Sequence, residues 1–319
     1  MNEDQVKKLV GFELVETHIS WILLGDYVYK IKKPVKFSFL DFTTLEKRKH
    51  FCEEEVRLNQ RLSPDMYLGV VPIVEKNGGV SLGDSGKAID YAVKMRGMPR
   101  EKTMDVLLKQ GKVEATHIEK IAEMVANFHK KIDVINDKKY SSAGIVKKQI
   151  DDLGSFREVI EKACGLGKKV DFILEQSDSF IVKNKKLFEK RQKEGKIRDC
   201  HGDLHSANIF ITDEIVIFDC IEFSKDFRFV DVASEIAFMA MDLDAFGRED
   251  YSELFVNKYI ELSGDKEALE ILDLYKCYRA NVRAKIAAIE YSQHPEEEAK
   301  ERIREYVELA AKYAREISA

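Results

Sequence analysis

Three polar residues with fixed spacing are the clearest candidates for chemistry: Asp203, Asn208 and Asp219. Asn208 follows Asp203 by five residues, and a short β-like stretch separates Asn208 from Asp219. Phosphoryl transfer needs a carboxylate beside the attacking hydroxyl group, and it needs oxygen ligands that hold Mg²⁺ against nucleotide phosphates. We therefore predict that Asp203 orients or deprotonates a hydroxyl group and that Asn208 and Asp219 bind the metal. Asn and Asp are also common turn residues, so these three residues alone do not decide between a site and ordinary loops.

A lysine and a glutamate upstream favour the site. Residues 27–32 alternate in polarity as a strand does, and this strand carries Lys30. Glu55 falls on the apolar face of the helix that follows. A carboxylate on a buried face needs a cationic partner, so we expect Lys30 to pair with Glu55. We interpret Lys32 and Lys33 as solvated surface charges.

The pattern of the first hundred residues is that of a β-sheet with one helix. We predict strands at 12–16, 19–24, 27–32, 70–74 and 88–95. The helix is expected to begin with a capping box from Thr43 to Glu46 and to end near Leu62. After residue 97, amphipathic helical segments dominate: 103–110, 116–132, 143–163, 169–192, 231–242, 249–262, 266–291 and 295–317. A β-like patch at 209–211 and 215–218 interrupts them. The change in pattern predicts a boundary at residues 95–99.

Composition excludes several classes of protein. The 319 residues carry a net charge of −5, so no global basic field for nucleic acid is present. Five cysteines without a C-x-x-C pair support neither a disulfide framework nor a cysteine-based zinc site. No apolar run approaches the roughly 18 residues of a membrane span. We expect a cytoplasmic protein without a nucleic-acid or membrane partner.

The motifs resemble those of a known group of kinases. His201-Gly202-Asp203 with Asn208, followed by Phe218-Asp219 after a hairpin, matches the H-R-D-x-x-x-x-N and D-F-G order of protein kinases. In the form HGDLHxxN, these residues resemble the aminoglycoside phosphotransferase-like kinases, a group that includes choline and sugar kinases. Residues 17–48, 52–62 and 218–243 are similar to an uncharacterised prokaryotic branch of that group, whose members are often fused to a carboxy-terminal P-loop ATP-binding domain. The chain has no G-x-x-x-x-G-K-[ST] motif of its own, so we expect one nucleotide site.

The resemblance implies an α+β, bilobal protein-kinase-like fold. Residues 1–96 would form a small β-rich lobe that binds ATP, or another nucleoside triphosphate, beside one helix. Residues 97–319 would form a larger, mostly helical lobe with the catalytic loop, the metal site and the acceptor-binding helices. The active site is expected in the crevice between the lobes.

The resemblance also implies nucleotide-contacting roles for residues that match functional positions of these kinases. No G-x-G-x-x-G loop precedes Lys30, so the turn containing Thr17 and Ser20 is expected to cover the nucleotide phosphates. Lys30 would contact those phosphates, with Glu55 as its partner. His205 lies where protein kinases place a phosphate-contacting lysine, and either catalytic contact or a structural hydrogen bond is open to it.

Three further residues have structural interpretations, and a fourth, Glu222, has a functional one. His201 is expected to brace the catalytic loop, and Asp231 to cap the helix that follows it. His129, at the end of a predicted helix, is expected to pack. Glu222 is a candidate for supporting the metal or orienting the acceptor.

The expected activity is transfer of the ATP γ-phosphate to a hydroxyl group of a sugar, amino sugar, aminoglycoside-like compound or amino alcohol. A protein kinase is an alternative, although little room for an activation loop separates Asp219 from the helix after Asp231. A catalytically silent nucleotide-binding regulator is another.

The acceptor itself stays open. Lys276, Arg279 and Arg283 share one helix face, which favours an anionic acceptor unless the arginines pair with acids of the chain. We expect the arginines to form such pairs, with Glu222, Asp226 or Asp231 as partners, rather than to contact the acceptor. The sequence decides neither the preference for ATP or GTP nor the oligomeric state.

Overall fold

The computed structural model describes residues 1–9, 11–37, 39–76, 79–83, 85–140 and 143–318. These form an α+β protein with two compact units, which confirms the predicted fold class. The first unit comprises Met1–Val106 and Ala207–Arg228, and the second comprises Leu107–Ser206 and Phe229–Ala319. This division differs from a single boundary at residues 95–99 because Ala207–Arg228 packs with the first unit. The nucleotide-binding and acceptor-binding roles of the two lobes stay predictions.

The first unit is built on six antiparallel strands: β1 (Glu13–Glu16), β2 (Ser20–Leu24), β3 (Tyr27–Lys32), β6 (Tyr67–Lys76), β7 (Gly79–Leu82) and β8 (Ala88–Arg96). They form one sheet in the order β1-β2-β3-β8-β6-β7. A short helix α1 (Glu3–Lys7) precedes the sheet, and a small hairpin of β4 (Lys36–Phe37) and β5 (Leu40–Asp41) follows β3. The predicted strands are confirmed, with shifts of a few residues at their ends.

Helix α2 (Leu45–Asn59) packs on this sheet. The predicted capping box at Thr43 is wrong, because the hydroxyl of Thr43 donates to Asp41 Oδ1 at 2.6 Å. Thr44 is the N-cap instead, and its hydroxyl accepts a hydrogen bond from the backbone N–H of Lys47 at 3.3 Å. Arg48 on this helix forms a buried ion pair with Asp90 of β8, with 2.9 Å between Nε and Oδ1.

The later segment of the first unit contains a hairpin of β10 (Ile209–Ile211) and β11 (Ile215–Ile217), followed by helix α9 (Lys225–Arg228). Phe210 packs in a cluster with Cys52, Tyr67, Val93 and Met95 of the sheet and helix α2. Burial of these aromatic and aliphatic groups attaches the hairpin to the sheet.

The second unit is mainly helical. Its helices, with α3 (Met104–Lys109) spanning the unit boundary, are α4 (Ala115–Lys131), α5 (Ala143–Asp151), α6 (Arg157–Cys164), α7 (Gly167–Lys183), α8 (Lys185–Lys193), α10 (Val232–Ala245), α11 (Glu249–Ser263), α12 (Leu272–Gln293) and α13 (Glu297–Glu316). A two-stranded sheet of β9 (Ile197–Asp199) and β12 (Phe229–Asp231) completes it. The core lies among α6, α7, α10, α12 and α13. Within the described residues, none of the helices combines the length and the apolar character needed to cross a bilayer.

A buried arginine ties three elements of the second unit together. Arg191 of α8 donates to both oxygens of Asp231, at 2.7 and 2.8 Å, and to both oxygens of Asp265. The carboxylate of Asp231 also accepts from the backbone N–H of Ala233, so the predicted N-cap of α10 is confirmed. Replacement of Arg191 would leave the buried carboxylate of Asp231 without this cation, whereas Asp265 would keep Lys196 at 3.3 Å.

We expect Arg191→Met to lower the free energy of unfolding by about 3–5 kcal/mol, the usual cost of breaking a buried ion pair from one side. Urea denaturation followed by circular dichroism measures this difference. Arg248→Met is the matched control, because Arg248 pairs with the exposed Asp250 and should contribute only about 0–1 kcal/mol. Equal losses in the two variants would contradict the proposed importance of burial.

Candidate active site

The predicted ion pair between strand β3 and helix α2 is present. Lys30 Nζ lies 3.0 Å from Glu55 Oε1 and 2.6 Å from Asp219 Oδ1. Glu55 is fully buried, as its place on the apolar face of α2 predicts. Burial alone would raise the pKa of Glu55, but Lys30 and Lys32 outweigh it and lower the pKa. The pKa of Lys30 is raised well above its usual value because the charges of Asp219 and Glu55 overcome the effect of its burial.

The interpretation of Lys32 as a solvated surface charge is wrong. Lys32 is fully buried, its ammonium lies 2.7 Å from Glu55 Oε2, and it also contacts Glu222. Alternation along β3 places Lys32 on the same face as Lys30, so the period of two was the signal that indicated its burial. Lys33 is also less solvated than expected, because its side chain is 13% exposed and pairs with Glu16.

The backbone at Asp219 is held in an unusual conformation. Its φ of 65° is the one positive φ among the described non-glycine residues. The backbone N–H of Asp219 donates to the hydroxyl of Tyr67 at 3.1 Å, and the N–H of Cys220 donates to Asn59 Oδ1 at 2.8 Å. Ser63 Oγ donates to the carbonyl of Ile217 at 2.6 Å. These contacts hold a conformation that is costly for a residue with a side chain.

The residues that fix Asp219 were not found from the sequence. Asn59, Ser63 and Tyr67 lie at the end of α2 and the start of β6, about 150 residues before their partners. No local pattern links positions so far apart. A buried Asn on the inner face of α2 was the one available signal, since a buried amide needs hydrogen-bond partners.

The two predicted metal ligands lie at one end of the β10–β11 hairpin. Asn208 directly precedes β10, and its backbone carbonyl accepts a hydrogen bond from the backbone N–H of Phe218 at 3.0 Å. Asp219 follows directly, with a side chain that is 40% exposed. The donor set of one amide and one carboxylate suits Mg²⁺, which prefers oxygen ligands. These residues therefore fit the predicted metal.

The predicted phosphate-covering turn joins β1 to β2. The hydroxyl of Thr17 accepts from the N–H of Ser20 at 3.0 Å and donates to the Ser20 carbonyl at 3.1 Å. Thr17 is exposed, whereas Ser20 is fully buried and its hydroxyl has no hydrogen-bond partner among the described residues. The turn is well ordered by its own hydrogen bonds, and the contact of either residue with a nucleotide stays a prediction.

The predicted catalytic loop begins in the second unit after β9, with residues 201–206, whereas Asn208 belongs to the first unit. Gly202 has a φ of 90°, which is accessible to glycine and costly for other residues. His201 Nδ1 accepts a hydrogen bond from the N–H of Asp203 at 3.2 Å, so the predicted bracing role of His201 is confirmed. His205 Nε2 lies 3.4 Å from Asp203 Oδ2. The loop thus presents a carboxylate that contacts the imidazole of His205, while His201 holds the backbone of the loop at Asp203.

The charges around Asp203 determine its protonation. Burial opposes ionisation of Asp203, but His205, His201 and Arg283 outweigh it and hold the pKa of Asp203 below its usual value. Burial likewise lowers the pKa of His205, and the charge and hydrogen bond of Asp203 raise it above its usual value. Asp203 is therefore an anion at neutral pH, and protonated His205 is its counter-ion over a wider pH range than a free histidine would be.

This pair predicts a pH dependence of stability. Because the folded pKa of His205 is raised, its contribution is complete below the unfolded value of about 6.5 and is lost as the pH rises through the folded value. The contribution of Asp203, with its lowered pKa, is present above about pH 3.9 and is lost on further acidification. His205→Gln should therefore destabilise the protein more at pH 6 than at pH 8.5. Urea denaturation at both pH values tests this, and a difference that grows at alkaline pH would contradict it.

Two buried side chains form hydrogen bonds with the backbone of the predicted catalytic loop. Glu235 of α10 accepts from the N–H groups of His201 and Gly202 at 2.6 and 2.9 Å. Burial would raise the pKa of Glu235, but His129, His201 and the N–H of Gly202 lower it to about 2. Arg279 of α12 donates to the carbonyls of Gly202 and Ser234 at 3.2 and 3.1 Å.

The three residues of the predicted basic face of α12 lie in different environments. Arg279 is buried and bonds to backbone carbonyls, so the expectation that it pairs with Glu222, Asp226 or Asp231 is wrong. Lys276 forms an ion pair with Asp244, at 2.9 Å. Arg283 is partly exposed, and its guanidinium lies 5.5 Å from the centre of the Tyr306 ring.

A second group of potential metal ligands lies in the second unit. Atoms of His129, Cys200 and Glu235 come within 4.8 Å of one another, and all three residues are buried. Both oxygens of Glu235 already accept backbone N–H groups, and His129 Nδ1 bonds to the hydroxyl of Tyr259 at 2.8 Å. We interpret this group as a hydrogen-bonded support of the catalytic loop, and the predicted packing role of His129 is consistent with it.

Comparison with known proteins places the chain among uncharacterised relatives in sequence. No family model matches it. Uncharacterised proteins of Mycobacterium tuberculosis and Mycobacterium bovis are 32% identical over 296 residues, which cover 92% of the chain. The chain spans 58% of the length of these relatives.

Comparison with solved structures identifies the fold. An aminoglycoside phosphotransferase of Alicyclobacillus acidocaldarius matches 100% of the chain and 95% of its own length, with a TM-score of 0.51. Ethanolamine kinase of Plasmodium vivax matches 98% and 85%, with a TM-score of 0.50. A thermostable mutant of aminoglycoside phosphotransferase APH(4)-Ia, solved with AMP-PNP and hygromycin B, matches 94% of both chains, with a TM-score of 0.52. Each is 12% identical to the chain. The chain therefore has the protein-kinase-like fold of the aminoglycoside phosphotransferases, which confirms the predicted resemblance at the level of the fold.

Proposed function

We propose that this protein is a Mg²⁺-dependent phosphotransferase that moves the γ-phosphoryl group of ATP to a hydroxyl group of a small molecule. The observation that carries the proposal is the position of Lys30, whose ammonium lies between Glu55 and Asp219. A lysine held by a buried glutamate, beside a candidate metal ligand, is the arrangement that kinases use to bind nucleotide phosphates. A purely structural ion pair would not require Asp219 in a strained backbone conformation.

In this proposal the first unit binds the nucleotide. Lys30 contacts phosphate oxygens while Glu55 fixes the direction of its side chain. Asn208 and Asp219 would hold Mg²⁺, which neutralises charge on the phosphates when bound. The turn formed by Thr17 and Ser20 would lie over the phosphates.

Asp203 acts on the acceptor. Its carboxylate orients the acceptor hydroxyl and takes up the proton as the oxygen bonds to the γ-phosphorus and the bond from phosphorus to the bridging oxygen of ADP breaks. Because the pKa of Asp203 is low, we propose that it serves mainly to orient the hydroxyl group and accepts the proton late in the reaction. His205 would keep its carboxylate in position, and His201 holds the backbone N–H of Asp203.

The short connection after Asp219 supports a small-molecule acceptor. Helix α9 begins at Lys225, and α10 begins at Val232. This leaves no long loop of the kind that protein kinases use to bind a peptide. Arg283, partly exposed and close enough to Asp203 to lower its pKa, favours an acceptor that carries a phosphate or carboxylate group.

Transfer of label from ATP tests the proposed function. The protein is incubated with Mg²⁺, γ-labelled ATP and a cell-metabolite extract, and the products are separated by size and charge. We expect label in a small, phosphatase-sensitive ester. Label in protein alone would support a protein kinase instead. Stabilisation of the protein by nucleotide, without transfer to any acceptor, would support a nucleotide-binding regulator.

A further inference from the structure

Lys32 is a buried cation that the proposed reaction does not use. Its side chain is 1% exposed, and its ammonium contacts two carboxylates, Glu55 on helix α2 and Glu222 in the loop after Asp219. It also lies 5.0 Å from the centre of the buried Phe42 ring. Burying an ammonium group is costly unless anionic partners lie close to it. The two carboxylates beside Lys32 are such partners, and they stabilise its positive charge.

The two lysines of β3 contact different oxygens of the Glu55 carboxylate. Lys30 lies 3.0 Å from Oε1, and Lys32 lies 2.7 Å from Oε2. A carboxylate held through both oxygens has one orientation, whereas a carboxylate held through one oxygen can rotate about its last bond. Lys32 therefore fixes Glu55 even when Lys30 turns toward another anion.

The contacts of Lys32 also reach the loop that carries the candidate metal ligand Asp219. Glu222 follows Asp219 by three residues, and its buried carboxylate contacts Lys32. The ion pairs thus run from Asp219 through Lys30, Glu55 and Lys32 to Glu222. Both ends of this series lie on the same loop, so strand, helix and loop are joined through charged groups.

We propose that Lys32 and Glu222 are positioning residues, which hold Glu55 and the Asp219 loop in the arrangement that binds nucleotide and metal. This inference rests on the proposed function. A role in stability alone explains it less well, because buried ion pairs add little net stability over apolar residues of similar size. Groups that bond to a metal ligand typically change metal affinity or activity by about 10–100-fold when they are removed, and we expect this range for Lys32 and Glu222, which support the loop of Asp219.

Two single substitutions and their combination test the inference. Lys32→Met and Glu222→Gln should each lower the turnover of ATP by about 10–100-fold and raise the Mg²⁺ concentration needed for half-maximal rate. The double variant should be no slower than the slower single variant, because residues that act as one unit have non-additive effects. Nucleotide affinity, measured by calorimetry at several Mg²⁺ concentrations, should show the same increase in metal requirement without relying on turnover.

Arg48→Met is the matched control, because it also breaks a buried ion pair of helix α2. It should lose stability but keep the Mg²⁺ requirement of the wild type, with all assays below the unfolding midpoint of each variant. Lys47→Met, at an exposed ion pair of the same helix, is a milder control. Glu222→Gln is nearly isosteric and carries the test if Lys32→Met does not fold.

The inference is overturned if folded Glu222→Gln protein has wild-type turnover and Mg²⁺ requirement, or if Arg48→Met changes the Mg²⁺ requirement as much. Failure of the proposed function has a different signature, since the wild-type protein would then neither turn over nor bind ATP at any Mg²⁺ concentration.

Discussion

Asp203→Asn should reduce phosphoryl transfer by roughly 10²–10⁴-fold, the range that a positioned acid or base usually contributes. Asparagine keeps the shape of the side chain but removes the charge that accepts the hydroxyl proton and pairs with His205. We expect nucleotide binding to persist, because Lys30 and Asp219 are held by other elements. Initial rates at saturating ATP, together with the thermal shift caused by Mg²⁺ and ADP, measure both quantities.

The control for this prediction is Asp213→Asn. Asp213 lies in the exposed turn of the β10–β11 hairpin, so its substitution should leave the rate unchanged. Unchanged turnover in the folded Asp203→Asn protein would remove Asp203 from the mechanism. A rate lost together with the nucleotide-induced shift would instead indicate that Asp203 acts on binding.

Asp219→Asn should lower Mg²⁺-dependent turnover by roughly 10³-fold, since a bound metal contributes several kcal/mol of charge stabilisation. The substitution removes a metal ligand, and it also removes the anion that lies 2.6 Å from Lys30. Lys30 would then be held by Glu55 alone and would be less well placed for the phosphates. Titration of the rate with Mg²⁺ should show that excess metal restores only part of the activity.

Stability distinguishes the two effects of this substitution. Loss of the pair with Lys30 should lower stability in the absence of metal, whereas loss of the metal site should remove the additional stabilisation by Mg²⁺ and ADP. Wild-type turnover with a wild-type Mg²⁺ requirement in Asp219→Asn protein would contradict the assignment of Asp219. Asp213→Asn again provides the reference, because it lies on the same hairpin.

The sequence was sufficient to predict contacts between residues whose burial follows from the local pattern of a strand or a helix. Alternation along β3 and the apolar face of α2 were enough to pair Lys30 with Glu55, and the structure confirms that contact. The same reasoning failed at Lys32, because a run of lysines was assumed to be solvated. Two lysines on one face of a strand would both be buried by a helix that packs there, and the sequence alone did not show that Glu222 would supply the second anion.

Local competition between neighbouring residues explains smaller differences. Thr43 and Thr44 can each cap a helix, and the hydrogen bond of Thr43 to Asp41 leaves Thr44 as the N-cap. The predicted helix at 143–163 is instead two helices with a 3₁₀ turn at Asp152–Phe156 between them. A helix predicted at 169–192 is interrupted at Asn184, whose amide donates to the carbonyl of Phe180 at 2.9 Å.

Contacts between residues far apart in the chain could not be predicted from local sequence patterns. Arg279 was expected to find a carboxylate, but it bonds to the carbonyls of Gly202 and Ser234. Ser234 and Gly202 lie 45 and 77 residues before Arg279 in the chain, so no local pattern connects them with it. The backbone of Asp219 likewise depends on Tyr67, which the sequence marks only as a strand residue.

Phosphorus NMR of the complete reaction tests the central claim most directly. Wild-type protein is incubated with ATP and the acceptor found in the extract, with and without Mg²⁺, and Asp203→Asn protein is treated in the same way. We predict a phosphate ester resonance that grows in step with ADP, only in the wild-type sample with Mg²⁺. Ester formed equally by Asp203→Asn protein, or formed without any divalent metal, would contradict a phosphoryl transfer carried out by Asp203, Asn208 and Asp219.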